Sequence, residues 1–394
     1  LAAVAPLPVV EVPLEEADGL ILAEDAVSTV ALPPFDNSAM DGYAVRLTEL
    51  AGAEESSPVS MPVSGEIGAG ATCWAPLAPG TVAKVMTGAP VPEGCDAVVP
   101  YEWTDRGAET VRISQVPSPG QHIRPAGDDV TPGQVLLTAG TVLGPRQLGL
   151  LAAVGQAVVR AHRRPRVSVL STGSELIDPG QELAPGQIYD ANSHLVAAAA
   201  RTAGAQVRRV GATSDDPDQF LAALRHELTV ADLIVTSGGV SQGDFDVVKA
   251  ALRGGSMWFG PVAMQPGKPQ GFGLVDSVPI FTLPGNPVSA YLSFEIFVRP
   301  ALRTMLGQSP PIRPSVTARL SEPVRSPAGR RQFLRAAYQA GERGELGTVT
   351  PVGGHGSHLL GSLARADALV VIGEDVTEVA QGAVVEVLLL DPAY

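Results

Sequence analysis

Residues 166 to about 308 alternate short β-branched runs with helical stretches, and this alternation limits the possible folds more than any other feature. The pattern predicts strands at residues 167–170, 206–210, 233–236 and 280–283 with helices between them. Ser193 is expected to cap a helix that ends before Gly204. Repeated strand–helix–strand units predict a doubly wound domain around a parallel sheet.

The segments on either side of this region have a different composition. Up to about residue 164, short strand candidates are separated by Pro-Gly turns such as Pro119-Gly120 and Pro132-Gly133. After about residue 308 the pattern returns to strands. We therefore expect mostly β domains before the α/β domain, and a small C-terminal β-barrel or sandwich after it.

Composition excludes several classes of protein. The 394 residues carry a formal net charge of −14, which opposes binding to nucleic acid or to an anionic membrane surface. No apolar run reaches the ~18 residues of a membrane span. The two cysteines form no CxxC pair, and with six scattered histidines they predict neither a disulfide framework nor a zinc site. We expect a cytoplasmic enzyme of about two to four domains.

Three loops rich in small residues follow predicted strands of the α/β domain. Ligands of an open parallel sheet bind beyond the carboxyl ends of its strands, and free backbone N–H groups in such loops bind phosphate. The sequence therefore predicts a site for an anionic, phosphate-bearing ligand. Its candidate binding residues are Ser171, Thr172, Gly173, Ser237, Gly238, Gly239, Pro284, Gly285, Asn286 and Pro287.

The same loops supply carboxylates. Glu175, Asp215 and Asp246 follow predicted strands, and acids beside a phosphate site typically hold Mg²⁺. Asp215 and Asp246 have an alternative explanation as helix caps, whereas Glu175 has no such local role. Lys268 lies in a predicted turn, where it either presents its ammonium to an anion or is simply exposed.

Together, motifs from nearly the whole chain resemble the molybdopterin molybdenumtransferase family (MoeA and the E domain of gephyrin-like proteins). The matching stretches are FDNSAMDGYAV at 35–45, MTGAPVPEG at 86–94, GDDV at 127–130, STGSEL at 171–176, TSGGVSQGDFD at 236–246, PGKP at 266–269 and LPGNPVSA at 283–290. They occur in family order, which makes the resemblance specific.

The resemblance implies a homodimer whose cleft is built from both subunits. It implies four domains: residues 1–34 with 128–164, 35–127, 165–308 and 309–394. The implied reaction inserts molybdate into the dithiolene of adenylylated molybdopterin and releases AMP. The adenylyltransferase that precedes this step, and other proteins of the pathway, are the implied protein partners.

The resemblance also assigns roles to single residues. Glu175 and Asp246 are implied as Mg²⁺ ligands, with Asp215 beside them and Lys268 neutralising phosphate charge. Pro284 and Pro287 are implied to shape the loop near the pterin or molybdate. The flanking regions are implied to contribute Asp41, Thr87, Asp129, Arg330, Arg331 and Ser357. Many relatives carry lysine where Gln265 stands, and some where Pro261 stands, so the anion ligands differ here.

Three other functions compete with this interpretation. The adenylyltransferase of the same pathway resembles the central domain alone, and the flanking regions argue against it. A gephyrin-like scaffold normally carries a linker and further domains. A dinucleotide-dependent oxidoreductase is disfavoured because no GxGxxG follows the first strand of the α/β domain.

Overall fold

The computed structural model describes residues 3–213, 216–239, 247–252 and 256–390. The chain divides into two compact units, each of which is described by itself. The larger unit comprises Leu1–Glu11, Gly19–Ala23 and Arg160–Tyr394, and the smaller comprises Val12–Asp18 and Glu24–Val159.

The first part of the chain is built of short strands and turns, as predicted. Its elements are β1 (Val9–Pro13), β2 (Ala26–Val27), β3 (Asn37–Ser38), β4 (Gly42–Val45), β5 (Val59–Ile67), β6 (Val82–Val85), β7 (Ala97–Pro100), β8 (Thr110–Ile113), β9 (Ile123–Arg124), β10 (Val135–Leu137), α1 (Pro145–Ala153) and β11 (Val158–His162), with 3₁₀ turns at Leu14–Glu16, Leu47–Leu50 and Tyr101–Trp103.

A five-stranded sheet of order β7-β4-β6-β5-β8 organises the smaller unit. Alternate residues of these strands point into one core, in which Tyr43, Val82, Val99 and Ile113 are completely buried. The residues between them, including Ala44, Val85 and Val98, are buried in a second core, so both faces of this mixed sheet are covered.

The middle segment has the predicted alternation of strands and helices. Its elements are β12 (Arg166–Thr172), β13 (Leu176–Ile177), β14 (Ile188–Tyr189), α2 (Ala191–Thr202), β15 (Gln206–Thr213), α3 (Pro217–Leu228), β16 (Leu233–Ser237), α4 (Val247–Leu252), β17 (Trp258–Pro261), β18 (Met264–Gln265), β19 (Pro269–Val275), β20 (Val278–Leu283), α5 (Pro287–Ser293), a π-helical turn at Phe294–Val298 and α6 (Arg299–Met305).

The central sheet has the order β15-β12-β16-β20-β19-β17. Its first four strands are parallel, which confirms the predicted architecture, and β19 and β17 extend one side as antiparallel strands. Successive residues of β12 point to opposite faces. Val169 packs in one core with α2 and α6, whereas Leu170 packs in another with α3 and α4. Helices therefore cover both faces, so the domain is doubly wound.

The cap of α2 differs from the prediction. The N-cap is Asp190, whose Oδ1 accepts a hydrogen bond from the Ser193 backbone N–H at 3.0 Å. Ser193 is therefore the capped residue, at the third position of the helix, and the predicted serine cap was wrong. The short acidic side chain satisfies a backbone donor that the helix itself leaves unpaired.

The last part of the chain forms a closed barrel. Its elements are β21 (Ser315–Leu320), β22 (Val324–Arg325), β23 (Arg331–Gln339), β24 (Gly347–Pro351), α7 (Leu360–Leu363), β25 (Ala368–Ile372), β26 (Glu378–Val379) and β27 (Val384–Leu389). The order β23-β24-β21-β27-β25 closes through a pairing of β25 with β23. Closure leaves no unpaired strand edge in this ring of five strands. Of the two predicted alternatives, the domain is therefore the barrel and not the sandwich.

The four-domain division stays a prediction. Within the described ranges, no helix is long and apolar enough to span a membrane.

Candidate functional site

A cavity of about 550 Å³ lies in the larger unit, at the carboxyl ends of β12, β16 and β20. All three loops predicted to bind an anionic ligand contribute to its lining. They do so through Thr172, Gly173, Ser237, Gly238, Gly239, Pro284, Gly285, Asn286 and Pro287. Parallel strands end on the same edge of a sheet, so loops that are far apart in sequence meet here.

The first loop places a carboxylate over a glycine. Gly173 has a φ of +149°, and a Cβ built on it would lie 2.5 Å from Oε2 of Glu175. The exposed Glu175 side chain lines the cavity, and its carboxylate occupies the space that a side chain at position 173 would fill. A glycine at this position allows the carboxylate to lie against the backbone.

The second loop approaches the first too closely for any side chain. Gly238 has a φ of +89°, and a Cβ on it would lie 2.7 Å from the Thr172 carbonyl oxygen. Gly239 has a φ of +66°, and its Cβ would lie 2.7 Å from Cγ2 of Val248. The pair therefore needs glycine for both its conformation and its contacts.

The third loop is held by a side chain from α2. Asn192 Nδ2 donates a hydrogen bond to the Gly285 carbonyl oxygen at 2.7 Å, and Pro287 occupies the first position of α5. Asn192 also lines the cavity. The residue thus connects the start of α2 to the loop after β20.

A buried polar network lies beneath the loops. Ser171 Oγ donates to Asp190 Oδ1 at 3.0 Å and lies 3.0 Å from Ser237 Oγ. Since Ser171 gives its one hydroxyl proton to the carboxylate, Ser237 donates to Ser171. Asp190 is 1% exposed, and its Oδ2 has no hydrogen-bond partner among the described residues. The network joins the ends of β12 and β16 to the cap of α2.

Asp190 and Asn192, which line the cavity together with His358, were not predicted from the sequence. For Asp190 and Asn192 a signal was present. An Asp directly before a helix, in the segment that leads away from the first loop, is expected near the same sheet edge. His358 comes from the distant C-terminal segment, so only the folded chain brings it here.

The predicted basic residues do not line this cavity. Lys268 is exposed in the turn before β19, although the neighbouring Pro269 does line the cavity. Arg331 Nε donates to Glu374 Oε2 at 3.2 Å, and Arg330 is half-buried. The Ser357 carbonyl oxygen accepts a hydrogen bond from the Val288 N–H at 3.1 Å.

The predicted magnesium site comprises Glu175 and Asp246, with Asp215 beside them. Asp215 and Asp246 lie outside the described residues. In the part of the chain that is described, no three His, Cys, Asp or Glu side chains come together as a metal-binding group. Their assignment stays a prediction.

The smaller unit contains Asp41, Thr87 and Asp129. Asp41 Oδ1 accepts hydrogen bonds from the Thr87 backbone N–H at 2.7 Å and from Thr87 Oγ1 at 2.8 Å. Because both bonds favour the ionised form, the backbone bond more than the hydroxyl, they hold the pKa of the Asp41 carboxyl below its usual value. Asp129 is exposed.

Family models match the chain in three consecutive regions. Residues 1–155 match the MoeA N-terminal region (domain I and II), residues 168–304 a probable molybdopterin binding domain, and residues 317–390 the MoeA C-terminal region (domain IV).

Individual relatives match over almost the whole length. The chain is 49% identical to molybdopterin molybdenumtransferase 2 of Mycobacterium tuberculosis over 385 residues, which is 96% of this chain and 94% of that protein. It is 37% identical to the molybdopterin molybdenumtransferase of Haemophilus influenzae, covering 95% and 92% of the two chains. A crystal structure of the molybdopterin biosynthesis MoeA protein of Pyrococcus horikoshii OT3 superposes with a TM-score of 0.79 at 30% identity, covering 99% and 97%. The three regions in order, together with identity along the whole chain, show that this protein belongs to the molybdopterin molybdenumtransferase family.

Proposed function

We propose that this protein is the transferase that inserts molybdenum during molybdenum cofactor biosynthesis. It transfers molybdate to the dithiolene of adenylylated molybdopterin and releases AMP. Family membership supports the pathway and the class of enzyme.

One observation carries the proposal. The three loops after β12, β16 and β20 meet around a single cavity of about 550 Å³, a volume suited to a pterin-nucleotide. Gly173 and Gly239 add no side chain to this wall, so a ligand can approach their backbone, whereas the Gly238 N–H donates to the Leu283 carbonyl oxygen at 3.1 Å. Free backbone N–H groups bind phosphate oxygens without adding a mobile side chain.

Magnesium fits the donor chemistry of this cavity. Glu175 offers a carboxylate at its wall, and Mg²⁺ uses only one or two protein carboxylates when phosphates supply further oxygens. Glu175, with Asp246 by resemblance, would hold the ion. When bound, it would neutralise charge on the phosphate oxygens.

Side chains of the protein hold the three cavity loops in place. Ser171 and Asp190 fix the floor beneath the first two loops, and Asn192 fixes the third. Rigid loops position the phosphate link between molybdopterin and AMP before the reaction begins, so less entropy is lost in reaching the transition state. Lys268 and the arginines of the last domain are proposed to contribute charge from outside this wall.

The proposal includes a cytoplasmic homodimer with a cleft built from both subunits. In that assembly Asp41, Thr87 and Asp129 are the contribution of the N-terminal region, and Arg330, Arg331 and Ser357 that of the last domain. The four domains predicted from the sequence are part of the same proposal.

The experiment measures AMP release from adenylylated molybdopterin in the presence of Mg²⁺, with and without molybdate. We expect molybdate-dependent release from the wild type and a large loss in Glu175→Ala. Glu182→Ala, an exposed acid that does not line the cavity, serves as the matched control. Absence of release from folded wild type would contradict the proposal.

A second assay, with molybdopterin and ATP supplied in place of adenylylated molybdopterin, distinguishes the adenylyltransferase of the same pathway. That enzyme forms adenylylated molybdopterin from molybdopterin and ATP, with release of pyrophosphate. Pyrophosphate production without molybdate-dependent AMP release would favour it instead.

A further inference from the structure

The cavity described above has acidic side chains but very little basic charge. Glu175 and Asp190 line it, whereas no lysine or arginine does so among the residues that the structure describes. Residues 240–246, which follow the second loop in the sequence, contain two acids and no basic residue. Positive charge for an anionic ligand therefore comes from the proposed Mg²⁺, from groups outside the wall such as Lys268, or from another lining side chain.

His358 is the one described lining residue whose side chain can become a cation. Its side chain is exposed, so a ligand in the cavity can reach it. Histidine changes its charge between about pH 5 and 8, unlike any other side chain at its ordinary pKa. Its imidazolium donates charge-assisted hydrogen bonds to phosphate oxygens.

The segment that carries His358 is fixed on both sides. The buried Arg335 donates from Nη1 to the Gly356 carbonyl oxygen at 3.1 Å and from Nη2 to the carbonyl of Gly354. The Ser357 carbonyl accepts from Val288 at the start of α5. Arg335 is thus engaged with the backbone, and the loop holds His358 at the cavity wall.

The imidazole itself is placed by a close contact. A Cβ built on Gly356 would lie 3.0 Å from Cε1 of His358, so the ring lies over this glycine. Leu360, which also lines the cavity, donates its N–H to the His358 carbonyl oxygen at 2.8 Å. The turn between these residues therefore presents the ring beside the ligand volume.

We infer that His358 is a substrate-binding residue whose imidazolium contacts the anionic part of the pterin-nucleotide, an inference that rests on the proposed function. Protonation of this side chain then strengthens substrate binding, and its neutral form weakens it. The enzyme would bind its substrate more tightly at mildly acidic pH.

The charged groups around His358 determine the sign of this dependence. Glu175 and Asp190 share its cavity, while His355 and Arg335 lie on its own loop and in the barrel behind it. Neither α5 nor α7 carries a charged side chain. A bound anion adds negative charge beside the ring, so anion binding and protonation of His358 favour each other.

The test measures equilibrium binding of adenylylated molybdopterin with Mg²⁺ present and molybdate omitted. Wild type, His358→Gln and His358→Lys are compared at about pH 6 and about pH 8.5, on either side of the range in which histidine titrates. Affinities are compared between variants at the same pH, because any titration of the ligand then affects all variants equally. His355→Gln is the matched control, because His355 belongs to the same loop but does not line this cavity.

We expect His358→Gln to bind about tenfold more weakly than wild type at the lower pH, the usual size of a lost charged hydrogen bond. At the higher pH the two should bind alike. His358→Lys should keep tight binding at both values, and His355→Gln should match wild type throughout.

Two results would overturn the assignment of His358. One is a His358→Gln affinity equal to wild type at the lower pH, and the other is a loss of the same size at both values. Failure of folded wild type to bind the ligand at either pH would instead contradict the proposed function.

Discussion

Replacing Gly238 by alanine tests the close approach of the first two loops. The residue has a φ of +89°, and an added Cβ would lie 2.7 Å from the Thr172 carbonyl oxygen and 3.0 Å from Thr172 Oγ1. The first contact is with backbone, which a side-chain rotation cannot relieve. The loop after β16 must therefore move away from the loop after β12.

The expected loss of stability in Gly238→Ala has two parts, which a control variant separates. A left-handed φ costs a non-glycine residue about 1–2 kcal/mol. Displacement of packed backbone adds about 1–3 kcal/mol, the usual cost of overpacking. Gly180 has a φ of +95° with no atom within 4 Å of its Cβ position, so Gly180→Ala incurs only the first part. Gly238→Ala should be the more destabilising of the two by the second part.

Urea unfolding measures both variants against wild type, and titration with adenylylated molybdopterin measures binding. We expect Gly238→Ala to lose at least about tenfold in affinity, as one displaced charged hydrogen bond would cause. Gly180→Ala should bind as wild type does. If Gly238→Ala and Gly180→Ala are equally stable and Gly238→Ala binds the ligand normally, the close approach of the first two loops is contradicted.

Two further predictions concern charged groups. Burial by itself would raise the pKa of Asp232, but hydrogen bonds from Arg163 and Arg166 outweigh it and hold the pKa well below its usual range. Because both arginines are partly exposed, Asp232→Asn should cost about 2–3 kcal/mol at neutral pH. This stabilisation is present above the unfolded-state pKa of about 3.9 and is lost as pH falls toward the lower pKa of the folded state. The difference in the free energy of unfolding between wild type and Asp232→Asn, measured with urea, should therefore be smaller by about 1 kcal/mol at pH ~3. A pH-independent difference would contradict this explanation. Thr87→Ala removes one of the two hydrogen bonds to Asp41, so an NMR titration should show the Asp41 pKa rise part of the way toward its usual value, and an unchanged pKa would count against that pairing.

The position of the site was predictable because it follows from sheet geometry. Ser171, Ser237 and Pro284 come at the ends of strands recognisable from their β-branched runs, and parallel strands end on one edge. The side chains that support the loops were less visible. The position of Asp190 before α2 indicates a helix cap, but no local pattern encodes its contact with Ser171, which lies 19 residues away.

The antiparallel side of the central sheet was not predicted. Strand β19 contains a proline and two glycines, and β17 contains one of each, a composition that is typical of turns. Glycine is needed there by tertiary contacts, because a Cβ on Gly271 would lie 2.0 Å from Oγ1 of Thr282 on the neighbouring strand. Such packing requirements arise only in the folded chain, so they cannot be predicted from secondary-structure propensity.

A crystal structure with adenylylated molybdopterin bound would show whether the cavity after β12, β16 and β20 is the substrate site. We expect ligand density in the cavity between the loops after β12, β16 and β20, with phosphate oxygens within hydrogen-bond distance of the backbone N–H groups of Gly173 or Gly239. Density for the ligand only elsewhere on the protein, with this cavity filled by solvent, would contradict this assignment.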